Sequence, residues 1–517
     1  MMLLAGPTRR AACQSTNSGD IRGTVTDTTG ALIPGAKVTI LNVNTGVSKD
    51  FVTNAEGLYD TSSIVAGSYT VSFSKEGFQS LIRGPITLQV GVTTVNGQLK
   101  VGSNAEQVTV TSDVPLLLTE SGEKSTTWDS HTLDAFPQVA GTGSQGQDWG
   151  NEVAFLPGFT GSASSDYGVA GMAQWGSANG SMPYNNVLQD GAAASTGGSM
   201  IATDTTLEAV AELQVSTSNF SAQYGSGGVV INQITKGGTN EFHGSAYDYI
   251  QNNAWNAASY GFGTQVPVNF IRYNNFGGSI GGPVIKKKMF FFFDYDQVVD
   301  HAAASNNFFS VPSSQVMGGD FGGAGVTSLL YDPTTQTIAT DSQGNLYPQR
   351  QSFQSEYGCN CIPSQLVDSV SNAVQQYYPT QSSHISGSKF VNGTQNAVGV
   401  YQYNFFSSIP QSTPYVKYFG RLDYDVTPKN RISMSDTQNN TPVIYPSALT
   451  ECPIGCEGGD VDANIAQITD VWNISPTFIN EARFGFTFQG NWFNDFSLDK
   501  GYANKVGWQF AKVDDFP

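Results

Sequence analysis

Serine, histidine, cysteine and carboxylate residues stand in spacings that invite a test for catalysis. Gly277-Gly-Ser279-Ile-Gly281 fits a nucleophile elbow, in which a serine on a sharp strand-to-helix turn attacks a carbonyl. No helix-forming run follows it; Pro283 and a β segment do. Gly141-Thr-Gly143-Ser-Gln-Gly146 fits a dinucleotide fingerprint, yet it follows Phe136-Pro137 with no parallel βαβ context. Both are chance matches in a chain with 57 glycines. His131, His243, His301 and His384 are scattered without a neighbouring Cys, Ser or carboxylate motif, which argues against a catalytic triad or a zinc hydrolase. Asp294 with Asp296, and Asp423 with Asp425, each share one strand face and read as interior residues of a sheet, not as an acid/base pair. The expectation is a protein that is not an enzyme, with no cofactor and no metal.

Four cysteines form two close sets, Cys359-Asn-Cys361 and Cys452-Pro-Ile-Gly-Cys456, in Gly, Pro and Ser-rich surroundings. They read as loop disulfides of an oxidising compartment; each set can close on itself or the sets can cross-link. Only 13% of the chain is charged, against roughly a quarter in an average soluble protein. The net charge of -18 repels phosphate backbones, so nucleic acid is not an expected partner. No window of about 18 apolar residues exists, which excludes a helical membrane span. It does not exclude a barrel, whose strands alternate lipid-facing and lumen-facing residues and keep mean hydropathy low.

The elements that must carry these residues fall into three textures. From Gly19 to about Lys100, short β runs (Ile21–Asp27, Ala36–Val43, Ser68–Ser74, Ile86–Val90) are punctuated by turn residues at Thr29-Gly30, Pro34-Gly35, Asn54-Ala-Glu-Gly57 and Lys75-Glu-Gly77. That spacing predicts a small β-sandwich with Phe51, Tyr59, Tyr69 and Phe73 as core and strand residues. Gly23-Thr-Val-Thr-Asp, Pro34-Gly35-Ala36, Asn54-Ala-Glu-Gly57 and Ala66-Gly67-Ser-Tyr69-Thr-Val resemble the carboxypeptidase-regulatory-like domain. Such domains share a carbohydrate-binding-like fold, but no Trp precedes Trp128 to make an exposed sugar platform.

Residues 101–239 are rich in Gly, Ser, Ala and Asn with scattered apolar anchors. Within them Glu106-Gln107-Val108-Thr109-Val110-Thr111 is a Val/Thr alternation suited to adding as a strand to a partner's sheet edge. From Asn240 onward the alternation becomes countable. Ala482, Phe484, Phe486 and Phe488 make an apolar face opposite Glu481, Arg483, Thr487 and Gln489. Tyr418, Leu422, Tyr424 and Val426 alternate with Lys417, Arg421, Asp423 and Asp425, and Thr427-Pro-Lys-Asn430 turns the chain. Phe276, Ile280 and Val284 share a further face, while the polar stretches His301–Gln354 and Thr380–Gln402 read as loops.

The segment from Glu208 to Ile250, the stretch Asn275-Phe-Gly-Gly-Ser-Ile-Gly-Gly-Pro283 running into Lys286–Asp296, and Ile474–Gly485 resemble the Oar-like branch of TonB-dependent outer-membrane transporters. The resemblance implies a plug with a motif at Asn186, Leu188, Asp190 and Gly191, a TonB box at Glu106–Thr111, outer-membrane lipid around the strands, a TonB-type energy-coupling partner and an external ligand that it does not identify. The expected fold is mainly β: a leader remnant (1–18), a β-sandwich (19–100), a TonB-box segment and plug domain (101–239), and the first part of an antiparallel transmembrane β-barrel, incomplete, with long loops (240–517). A plugged barrel of about 22 strands at roughly ten residues each would use nearly every residue after Thr239 before any loop, so the chain reads as the front part of a larger protein. The expected function is uptake of an unidentified ligand through a plugged barrel energised by TonB; the competing class is a secreted or surface β-protein for adhesion or carbohydrate binding.

Overall fold

The computed structural model describes residues 18–102, 107–110, 124–136, 153, 156–160, 177–179, 185–196, 200–203, 205–220, 224, 228–257, 268, 270–303, 307–380, 388–407, 410–411, 414–445, 457–475, 478–495 and 501–508. The sandwich is built from β1 (Ser18–Asp27), β2 (Lys37–Asn42), β3 (Ser48–Val52), β4 (Leu58–Asp60), β5 (Ile64–Val65), β6 (Gly67–Ser74), β7 (Ser80–Leu88), β8 (Gly91–Thr94) and β9 (Gly97–Leu99). One sheet centres on β1, flanked by β4, β5, β8 and β9; the other runs β10-β7-β6-β2-β3, where β10 is Gln107–Val110. Period-two alternation sends Ile21 and Val25 of β1 and Tyr69, Val71 and Phe73 of β6 inward to one apolar core, with Phe51 packed at its margin. The turns follow their chemistry. The Asp27 carboxylate accepts from the Thr29 and Ala31 amides, and the Asn54 side chain accepts from those of Glu56 and Leu58. Gly57 sits at φ +65°, where a Cβ would meet the Val25 carbonyl oxygen at 3.0 Å.

A second, mixed sheet runs β11-β18-β19-β14-β15: β11 (Lys124–Asp129), β14 (Asn185–Gln189), β15 (Ala192–Ala193), β18 (Val210–Ser218) and β19 (Val229–Thr235). Short pairs β12 (Phe159–Thr160) with β13 (Ser177–Ala178), and β16 (Ser195–Thr196) with β17 (Met200–Ile201), lie beside it. Leu133, Val187, Leu213, Val215, Val229 and Ile231 form its core. This is the plug.

The third body is a tall antiparallel sheet in the order β20-β21-β22-β31-β32-β33-β34. Its strands are β20 (His243–Asn252), β21 (Ile271–Ile285), β22 (Met289–Ala303), β31 (Tyr415–Thr427), β32 (Asn430–Tyr445), β33 (Glu457–Ser475) and β34 (Phe478–Asp495). Residues 286–288 and 428–429 join neighbours by tight turns at one end of the sheet, and long connections leave the other end. The sheet is open: β20 and β34 are not paired with each other among the described residues. Phe484, Phe486 and Phe488 are exposed on the outer face, and Trp472 and Trp492 stand near opposite ends of the wall. Lys417, Arg421, Asp423 and Asp425 are buried on the inner face, as the alternation predicts.

The stretch expected to be loop at His301–Gln354 is corrected in detail. His301 to Ala303 still belong to β22, because their backbone continues its ladder with β21 as far as Ala302. Beyond them the connection folds on itself, with a sheet of β23 (Asn307–Phe309), β26 (Ser388–Phe390) and β29 (Phe405–Ser407) and hairpins β24 (Thr337–Thr340) with β25 (Leu346–Gln349) and β27 (Thr394–Gln395) with β28 (Tyr401–Gln402). A short β30 (Pro410–Gln411) leads back onto β22. The helical turn Ser369–Gln375 is capped by the Asp368 carboxylate on the Val370 and Ser371 amides.

Candidate functional site

Four of the six residues singled out for strand addition, Gln107 to Val110, already form a strand. Residues Gln107 to Val110 pair in parallel with Ser80 to Arg83 of β7 and close one edge of the sandwich; Glu106 and Thr111 lie outside the described residues. The outer edge of β10 has no partner strand among the described residues. The next described strand, β11, is the edge strand of the plug sheet, where Trp128 pairs with Leu213.

Asn186, Leu188, Asp190 and Gly191, the residues expected to form a plug motif, lie on β14 and the turn after it, where this sheet meets the wall. Asn186 Nδ2 donates to the Tyr224 carbonyl at 2.7 Å, and Leu188 is buried on β14. Asp190 and Gly191 then turn the chain with φ +46° and +76°, conformations that Asp and Gly tolerate better than bulkier residues. The Asp190 carboxylate accepts from the Thr235 amide at 2.9 Å and the Thr235 hydroxyl at 2.6 Å, which tie it to β19. It also accepts from Gln467 Nε2 of β33 at 3.1 Å and from Arg421 Nη1 of β31 at 3.3 Å.

Arg421 is the centre of this arrangement. Its Nε pairs with Asp423 Oδ2 at 2.9 Å, while its Nη1 reaches Asp190 and donates to the Thr235 carbonyl at 3.0 Å. Arg431 on β32 pairs with Asp423 at 3.3 Å and Asp425 at 3.2 Å, and Ser433 Oγ donates to Asp423 at 2.6 Å. Two guanidinium groups and three carboxylates thus share one water-poor cluster across three elements. Such a cluster is held by mutual satisfaction, because removing one member strands the others without counter-charge.

Further ties run along the same seam. Thr206 Oγ1 donates to Asp294, Gln189 Nε2 to Thr437 Oγ1 at 3.0 Å, Arg483 Nη1 to the Gly191 carbonyl at 2.7 Å, and Thr487 Oγ1 to the Ala193 carbonyl at 2.7 Å. Ile465 of β33 enters the plug core, and Ala209 packs with Phe292 and Phe419 of the wall. The sequence places Arg421, Asp423 and Asp425 on the lumen face; that they answer Asp190 is a contact across 231 residues that no local spacing reports.

The sandwich lies against the tight-turn end of the wall. The Asn240 amide donates to the Asn44 carbonyl at 2.9 Å, and the Val90 amide donates to Glu212 of β18 at 3.2 Å. Burial pushes the Glu212 carboxyl up to about 7; the Val90 amide opposes that rise, and Asp129, its cross-strand neighbour, adds to it.

The other residues singled out from sequence stand apart from this seam. Cys359 and Cys361 are joined as a disulfide in the long external connection, and Cys452 and Cys456 lie outside the described residues. Ser279 is on β21 with its hydroxyl on that of Ser245 at 2.8 Å, so the elbow-like motif is a barrel strand; Gly141 to Gly146 lie outside the described residues.

The sequence matches the family described as outer membrane beta barrel domain over residues 234–514 and the carboxypeptidase regulatory-like domain over residues 20–100. Among curated proteins it is similar to the TonB-dependent transporter Oar of Myxococcus xanthus, at 27% identity over 260 residues covering 48% of this chain and 24% of that protein. The chain therefore spans about a quarter of the length of that relative. Among solved structures, the outer membrane transporter YddB from Escherichia coli aligns with 72% of this chain and 40% of its own, at 8% identity and a TM-score of 0.41. A putative carbohydrate binding protein from Bacteroides uniformis aligns with 16% of this chain and 41% of its own, at 18% identity and a TM-score of 0.15. The long antiparallel wall, its lipid-facing aromatics and the match over more than half of its length lead to one conclusion: the chain belongs to the outer-membrane β-barrel family, with a carboxypeptidase-regulatory-like domain ahead of the barrel, and resides in the outer membrane.

Proposed function

We propose that the chain is the sandwich, plug and leading barrel wall of a TonB-energised receptor and transporter. Its units divide at residues 19–100, 101–239 and 240–517. Ligand is captured on the external connections, a periplasmic TonB-type protein engages Glu106 to Thr111, and force on that segment draws the plug from the wall. The observation that carries this reading is the position of β10: a strand with an open outer edge, joined through residues 111–123 to the plug's own edge strand. An open edge offers main-chain donors and acceptors to an incoming strand, and tension on it passes along the chain to β11. Within the plug motif of Asn186, Leu188, Asp190 and Gly191, it is then Asp190 that the wall holds through Arg421 and Gly191 through Arg483. Binding of a TonB C-terminal domain to the full chain in detergent tests the reading. Val108→Pro removes a strand amide and is expected to weaken binding at least tenfold, as is deletion of 106–111; undiminished binding by both variants would refute the assignment.

A further inference from the structure

A cavity of about 60 Å³ lies between the sandwich and the tight-turn ends of β31 to β33. Its charged lining consists of Lys49 from the sandwich and Arg421, Arg431 and Asp425 from the wall, three cations facing one carboxylate. The carboxylate is committed to Arg431 Nη1, and Arg421 is committed to Asp190 and Asp423. Two donors are left over. Arg431 Nε is buried with no hydrogen-bond partner, and none of the described residues forms an ion pair or hydrogen bond with the Lys49 ammonium. The neighbouring Asp50 is turned to the other face of β3, where it pairs with Lys37 at 3.0 Å. Burial, and after it the positive charge of Arg431, push the Lys49 pKa down; the pull of Asp425 in the other direction ranks behind both.

Arg431 Nε, buried without a hydrogen-bond partner, faces the Lys49 ammonium across this space, and an anion between them would satisfy the first and neutralise both. The space is several times the roughly 10–15 Å³ that one water requires. The hydroxyl-bearing Thr469 lines it too. We propose that this cavity is a binding site for a small tetrahedral oxyanion, of the phosphate or sulfate class, gripped by Lys49 and Arg431. The anion touches the sandwich with one hand and the wall with the other. Because it binds only the docked arrangement, it fastens the sandwich under the barrel by mass action. This inference does not depend on TonB.

The test titrates the full chain in detergent with inorganic phosphate and, separately, sulfate at constant ionic strength, using calorimetry and hydrogen exchange of the backbone around Asn44 to Lys49. Wild-type protein is expected to bind at least one of the two anions and to gain protection there. Lys49→Met is expected to weaken binding at least tenfold and lose the gain, and Lys49→Arg, which keeps the charge, to restore both. Lys49 lies on an edge strand of the sandwich, so the arginine variant also serves as the folding control. No binding of either anion by wild type, an equal response to chloride, or undiminished binding by Lys49→Met would each overturn the site.

Discussion

The plug and the sandwich meet the same stretch of barrel wall in opposite ways. The plug seam is filled: Ile465 enters the plug core, Phe292 and Phe419 pack on Ala209, and Asp190 is locked into the arginine cluster. The sandwich seam is hollow: the Asn240 amide meets the Asn44 carbonyl, and beside it lies a cavity lined by charged residues such as Lys49 and Arg431 and by apolar ones such as Tyr69 and Val471. A filled, charge-satisfied interface resists separation until several partners are stranded at once, whereas a few main-chain bonds exchange for water at small cost. The two bodies are therefore graded in their hold on the wall.

The largest test of that grading is Arg421→Met. It leaves Asp190 and Asp423 buried beside a lost cation, an expected cost of about 3–5 kcal/mol concentrated in the plug seam. Hydrogen exchange over β14 and β19 should rise while the sandwich core around Val71 and Phe73 stays protected. Equal loosening of both bodies would end the distinction between the seams.

Glu212 gives the next effect, at the contact between the plug and the sandwich. Its carboxyl lies near 7 when buried against Val90, against an ordinary 4.5. A carboxyl that holds its proton more tightly when covered supports docking fully below about pH 4.5, and loses that support as the pH rises through 7. The swing is at most about 3.5 kcal/mol. Exchange of the Val90 amide should quicken from pH 5 to 8 beyond its intrinsic rate, and Glu212→Gln should flatten that dependence. An unchanged slope in the variant would remove Glu212 from that contact's energetics.

Ile465→Val probes the apolar share of the plug seam. Deleting one methylene from a packed core costs about 0.5–1.5 kcal/mol, expected as a small drop in thermal stability. A loss as large as that of Arg421→Met would mean that packing, not charge, seats the plug.

The sandwich and the wall were legible because their determinants are local. Turn residues such as Asn54 and Gly57 act within a few positions, and alternation alone sorts Phe484, Phe486 and Phe488 from Arg483 and Thr487. The seams were illegible for the opposite reason. Glu212, Gln214, Asn232 and Gln233 have the polarity of a solvent-facing edge, yet all are buried because the plug sheet is enclosed by other bodies. Asp190 announces a turn by its type and neighbour, but nothing near it names Arg421. The Glu106 to Thr111 alternation fits a sandwich edge strand as well as a partner's sheet, and β10 occupies the first of these places while leaving its outer edge open for the second.

The smallest expected effect sharpens the comparison most. Asp50 is adjacent to Lys49 but projects to the other face of β3, where its pair with Lys37 is more than half exposed. An exposed pair contributes about 0–1 kcal/mol, and strand alternation keeps the Asp50 side chain out of the cavity. Asp50→Asn adds one positive charge to the sandwich without touching the seam. If the seam is specific, exchange around Asn44 should match wild type at moderate salt, where such a distant charge is screened. If the sandwich is held by its overall charge against the acidic remainder of the chain, the variant should dock more firmly and the gain should fade as salt is raised. That salt-dependent gain would replace the Lys49 contact with a diffuse attraction, while leaving the plug's ionic lock as it stands.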